Sequence, residues 1–123
     1  MSNNKQSSID KEFVPYEEAL ALKELGYDER CHRGWDEDNT IWYHPDNSIV
    51  VDNPTFSQAF RWFREKYFVH HEIEYDYDTW DYELYNFKSG SKHIPTGFKT
   101  FETYEEAELA GLRKLIEIVK QKQ

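Results

Sequence analysis

The chain has 123 residues and a formal charge of −9, long enough for one domain with a substantial core and of the wrong sign for a protein that grips phosphates. Direct binding of DNA or RNA is therefore disfavoured; the lone Cys31 rules out an intrachain disulfide, and no run approaches the ~18 apolar residues needed to span a bilayer. Aromatic residues make up 17% of the chain against 38% for all hydrophobic types, so rings must supply much of the buried area.

From Met1 to Glu12 the chain is polar, with nothing to bury, and is expected to be a disordered tail before a single domain over 13–121. Pro15, Glu17 and Glu18 open a first helix and Gly26 closes it, with Tyr16, Ala19, Leu20, Leu22 and Leu25 along its length. Tyr27 to Asn39 reads as a loop around Trp35. Thr40–His44 and Ser48–Val51 read as short strands joined through Pro45-Asp46-Asn47 in a hairpin. Thr55 and Gln58 have capping-box spacing, which starts a second helix at Phe56. Phe56, Ala59, Phe60, Phe63 and Tyr67 then fall on one face, opposite Ser57, Gln58, Arg61, Arg64 and Glu65, with Trp62 on the margin.

The period next changes from 3.6 to 2. Val69, His71, Ile73, Tyr75 and Tyr77 point one way; His70, Glu72, Glu74, Asp76 and Asp78 point the other. Trp80, Tyr82 and Leu84 then alternate with Asp81, Glu83 and Tyr85. A two-residue turn at Asp78-Thr79 would pair Tyr77 with Trp80, Tyr75 with Tyr82 and Ile73 with Leu84, and any loop of even length keeps the apolar faces together. The same pairing opposes like charges, at a cost of about 0.2–1 kcal/mol each. Ser89-Gly90-Ser91 and Pro95-Thr96-Gly97 mark a flexible loop carrying Lys88, Lys92 and Lys99. Thr103 and Glu106 form a second capping box ahead of a last helix, reaching about Lys120, whose face is Ala107, Leu112, Leu115, Ile116 and Val119. Ala110 and Gly111 permit close approach. The order is α-ββ-α-ββ-α, an α+β fold with an antiparallel sheet and helices packed on one face.

The run Phe13-Val-Pro-Tyr-Glu-Glu-Ala-Leu-Ala-Leu-Lys-Glu-Leu-Gly-Tyr-Asp-Glu29, the run Gln58-Ala-Phe-Arg-Trp-Phe-Arg-Glu-Lys-Tyr67 and Tyr104-Glu-Glu-Ala-Glu108 resemble a family of small uncharacterised bacteriophage and prophage proteins of Bacteroidota. Arg30 stands where that pattern has proline, and Phe68 where it has glycine. The resemblance brings no catalytic residues. It implies a phage accessory role, acting on a host protein; the expectation of a cytoplasmic location comes instead from the lone cysteine and the lack of a signal-like or spanning apolar run.

The residues themselves name no reaction. His70 and His71 are strand neighbours on opposite faces and do not converge on one metal. Cys31 beside His32 has no third residue to orient a base. No phosphate-binding glycine loop, zinc spacing or nucleophile elbow is present. No cofactor and no metal are expected, and a non-catalytic binding protein is preferred to an enzyme. The sharpest signal is the segment 69–87, with six acids and no Lys or Arg. Along one strand its acids are ~6.6–6.8 Å apart, close to the spacing of phosphates on a nucleic-acid strand, so the row suits a basic groove. Glu72, Glu74, Asp76, Asp78, Asp81 and Glu83 are the candidate binding residues, toward a host protein with a basic surface that handles nucleic acid or serves in defence. The plainer reading is a charged face that protects a strand from aggregation. An alternative is a nucleotide held by aromatic stacking, using Trp35, Trp42, Trp62, Arg61, Lys92 and Lys99; the plainer reading of those rings is core packing. Homo-oligomerisation stays open.

Overall fold

The structure is a computed structural model that describes residues 10–43 and 46–122. Residues 1–9 of the tail expected over 1–12, and His44 and Pro45 of the expected strand and turn, lie outside the described residues; Asp10–Glu12, expected in that tail, form a 3-10 turn. The chain is a mixed α+β protein, with three α-helices and two three-stranded antiparallel sheets among the described residues. The helices and strands follow one another in the expected order, and each sheet has one strand more than expected. The chain divides into two compact units, 1–57 and 58–123.

In the first unit a 3-10 turn (Asp10–Glu12) leads to helix α1 (Tyr16–Leu25). Gly26 ends α1 at φ 104°, a left-handed position that glycine takes without strain. Its sheet is made of β1 (Gly34–Trp35), β2 (Ile41–Trp42) and β3 (Val51–Asp52), in the order β2-β1-β3. The expected hairpin between 40–44 and 48–51 is therefore corrected. Those two runs do not pair with each other; both pair with β1, which comes from the segment read as a loop. Gly34 is the reason the centre is there. A Cβ on it would lie 2.5 Å from both Ile49 Cγ2 and Val51 O, so only glycine lets the strands close. Asp36 organises the β1–β2 connection: Oδ1 accepts the N–H groups of Asp38 and Thr40 at 2.8 and 2.9 Å, and Oδ2 accepts Trp42 Nε1 at 3.0 Å. The Trp42 bond, with those backbone bonds, holds the Asp36 carboxyl below its ordinary value. Buried Val14, Ala19, Leu22, Leu25, Ile49 and Val51 form the unit's apolar centre.

Helix α2 (Phe56–Tyr67) begins where its spacing predicts, with Phe56, Ala59, Phe60 and Phe63 buried and Ser57, Arg61 and Glu65 exposed. Trp62 is buried as well, its ring 5.1 Å from Phe63 and 5.5 Å from Tyr67, so it widens the core face. Phe68 follows at φ 60°, a left-handed residue that redirects the chain into the second sheet.

That sheet consists of β4 (Val69–Asp76), β5 (Thr79–Asn86) and β6 (Lys92–Ile94), with β5 central. β6 came from the run expected to be a flexible loop; it pairs Ile94 with Leu84 and His93 with Tyr85. Farther along, Phe101 exchanges two 2.8 Å backbone bonds with Trp80. Helix α3 (Tyr104–Gln121) starts in the expected capping box of Thr103 and Glu106 and packs over β5 and β4. Gly111 lets it approach the sheet: an added Cβ would sit 3.3 Å from Tyr82 Cγ. The core of this unit is Val69, Tyr82, Leu84, Ala107, Leu112, Leu115, Ile116 and Val119 with Phe60 and Phe63. His71 belongs to this layer, its ring stacked on Phe60 at 3.5 Å.

Candidate functional site

The β4–β5 hairpin turns at Tyr77-Asp78, both at positive φ (50° and 65°), one residue earlier than expected. Two central residues with positive φ define the turn type whose twist matches the strands, even though neither residue here is the usual Asn or Gly. Moving the turn by one residue slides the pairing by two. Tyr75 lies opposite Trp80, Ile73 opposite Tyr82 and His71 opposite Leu84, in place of the expected partners. The loop keeps an even length, so Tyr75, Trp80 and Tyr82 still share the side opposite the paired acids, whereas Tyr77, expected among them, lies in the turn and is 91% exposed.

On the acidic face Glu74 is opposite Asp81 and Glu72 opposite Glu83. The chain offsets this repulsion mainly on β5. Asp81 lies 3.4 Å from Lys99 Nζ and also accepts its neighbour Tyr82 N–H at 2.7 Å. Glu83 pairs with the His93 ring on β6. Both acids are only part-exposed. On β4 the row is wetter: Glu72, Glu74 and Asp76 are exposed, with Asp78 beyond them in the turn. Glu72 has His70 at 3.5 Å, and Asp78 accepts a 3.1 Å bond from Tyr75 Oη. Among the described residues no side chain pairs with the carboxylates of Glu74 and Asp76. Tyr85, on the same face, has its phenol raised by burial and then by Glu72, Glu74 and Glu83, a sign of the negative field they share.

β4 is an edge strand. Phe87 N–H bonds to Phe68 O across the hairpin at 2.9 Å, so even-numbered β4 residues turn their backbone groups toward β5. The odd residues Val69, His71, Ile73 and Tyr75 turn theirs outward, where no strand of the described residues meets them. Acids along such an edge also discourage strand-to-strand aggregation.

The six acids of the sequence reading thus share one hairpin, four of them exposed and two occupied. The residues of the nucleotide alternative are differently placed. In the first unit Trp35 packs edge-on to Tyr16 at 4.9 Å, and Trp42 Nε1 is bonded to Asp36. In the second, Trp62 is buried, Arg61 is exposed on α2, Lys92 is exposed on β6 and Lys99 is held by Asp81. Trp62 therefore presents no open ring for stacking, and Lys99 already has an anion.

Thiol chemistry has no support at Cys31: the side chain is buried, and burial, ahead of any other influence, pushes its thiol up to about 11. His71 is likewise pushed down to about 4, first by burial and then by His70 and Arg64, so at neutral pH it is a neutral core ring. Among the described residues no three His, Cys, Asp or Glu side chains converge as metal ligands, and no helix is long and apolar enough to cross a membrane. Sequence reasoning missed Phe98, 94% exposed beside the acidic turn; nothing in its surroundings signalled that an aromatic residue there stays in water. No family model, no curated protein and no solved structure matches this chain.

Proposed function

We propose that the chain is a non-catalytic binding protein whose acidic hairpin face captures a basic surface on a host protein, in the manner of a phage accessory inhibitor. The observation that carries this reading is the state of Glu74 and Asp76: exposed, on one side of one strand, and unpaired among the described residues. Asp81 and Glu83, already tied to Lys99 and His93, contribute less to a partner and more to holding the face together. The weight of recognition therefore falls on β4, with Glu72, Glu74 and Asp76 as the principal contacts and Asp78 at the tip. A negative row of this kind accelerates encounter with a basic partner and excludes acidic ones, and its effect declines with salt. The phage role and the inhibition of a nucleic-acid-handling or defence protein rest on the sequence resemblance and on the strand spacing of the acids.

The test is affinity capture from a bacterial lysate with the native chain and with a Glu72→Lys, Glu74→Lys, Asp76→Lys variant, after circular dichroism has established that both fold. Basic proteins should be retained by the native chain, lost with the variant and released as salt is raised. Equal capture by the two chains overturns the reading.

A further inference from the structure

At the turn end of the acidic face lies a cleft of about 180 Å³, lined by Glu74, Asp76 and Asp81 together with Tyr77 and Phe98. Its volume is below the roughly 300–1,000 Å³ of pockets that enclose a drug-sized ligand, so it suits one side chain rather than a nucleotide. The two rings beside it are almost wholly in water, Tyr77 at 91% exposure and Phe98 at 94%. Tyr77 also holds φ at 50°, a conformation that a bulky residue adopts only at a cost and that Asn or Gly would take more readily.

Carboxylates beside open aromatic rings are the chemistry that recognises an organic cation: the acids supply charge-assisted hydrogen bonds, and the ring faces attract positive charge. The chain already holds one of its own cations this way. Lys99 Nζ lies 3.4 Å from Asp81 and 3.9 Å over the Tyr82 ring. With Asp81 so occupied, Glu74 and Asp76 are the carboxylates left for an incoming group. A guanidinium fits this lining better than an ammonium, because it is planar, stacks on rings, sheds water more easily and can fork its N–H groups onto two acceptors.

We propose that this cleft receives an arginine side chain of the basic partner protein, its guanidinium against Phe98 and Tyr77 and its N–H groups donating to Glu74 and Asp76. The inference rests on the acidic-face reading and names the side chain that the face selects.

Two peptides of equal length and charge, one alternating Arg and Gly and the other Lys and Gly, separate the two ideas when titrated by calorimetry into the full chain. The arginine peptide should bind more tightly, by up to about two- to fivefold for each ring contact that arginine makes and lysine does not. The double variant Phe98→Ala, Tyr77→Asn removes both rings from exposed positions, and Asn suits the left-handed turn, so an unchanged melting temperature can verify the fold. It should bring the arginine peptide down to the affinity of the lysine peptide. Glu72→Gln, outside the cleft, should weaken both peptides alike. Equal binding of the two peptides, unmoved by loss of the rings, would overturn the arginine cleft and leave the acidic face standing. Failure of both peptides to bind overturns the cleft and the acidic face together.

Discussion

Asn53 shows how one side chain can organise a small unit. It is completely buried, donates from Nδ2 to Val14 O at 2.6 Å, and accepts from Arg33 Nε at 2.7 Å. Its own N–H bonds to Arg33 O at 2.8 Å, while Val14 N–H bonds to Pro54 O at 2.9 Å. Three segments distant in sequence are thereby joined through one amide, and the Arg33 guanidinium lies 4.0 Å over the Phe13 ring. Asn53→Leu leaves the buried Val14 carbonyl without its donor and removes one Arg33 contact. A loss of about 2–3 kcal/mol is expected from urea unfolding, since an orphaned buried polar group pays its full desolvation cost. A loss within experimental error would mean that water replaces the amide. Nothing in a single Asn between Asp52 and Pro54 announces this role, because its partners are brought in by the fold.

Among the elements, helices were the more legible class. α2 and α3 begin at the residues their spacing predicts, because a helix is specified by side chains three and four apart. The strands of the first unit were not. β1 is two residues long, too short to show alternation, and its identity depends on Ile49 and Val51 lying against Gly34. Gly34→Ala forces a methyl group into backbone and should destabilise the protein by about 1–3 kcal/mol, measured as a lower urea midpoint. An unchanged midpoint would show that β3 can move aside without penalty. In the second sheet the faces of β4 and β5 were readable, since alternation sets which side each residue occupies. Their register was not, because the choice between Tyr77-Asp78 and Asp78-Thr79 as the turn preserves that alternation.

At the scale of the whole molecule, two part-buried titrating groups give the stability opposite slopes with pH. Folding lowers His71 from 6.5 to about 4, so below pH 6.5 the unfolded chain takes up a proton that the folded chain refuses until about pH 4. Its contribution is complete above pH 6.5 and falls away toward pH 4, by about 3 kcal/mol in total. Burial, and then Glu105, raises Glu108 from 4.5 to about 7. The folded chain retains that proton while the unfolded chain releases it, so this contribution is complete below pH 4.5 and is lost as pH rises to about 7. Thermal melts across this range should show His71→Phe flattening the acidic limb. Glu108→Gln should raise the melting temperature above pH 7 and leave it nearly unchanged near pH 4.5. Curves parallel to that of the native chain would remove burial as the cause.

By itself the sequence determined the class of the fold, the starts of two helices and the gathering of five acids on one side of a hairpin, with Asp78 at its tip, all of which follow from relations between residues close along the chain. Only the tertiary structure decided that Gly34 lies at the centre of a sheet, and that Lys99 and His93 silence Asp81 and Glu83 while Glu74 and Asp76 stay open. It also set Phe98 beside the acidic turn. The physical reason is the same for each: periodicity tells which way a side chain points, whereas its partner arrives from a distant segment and is chosen by packing.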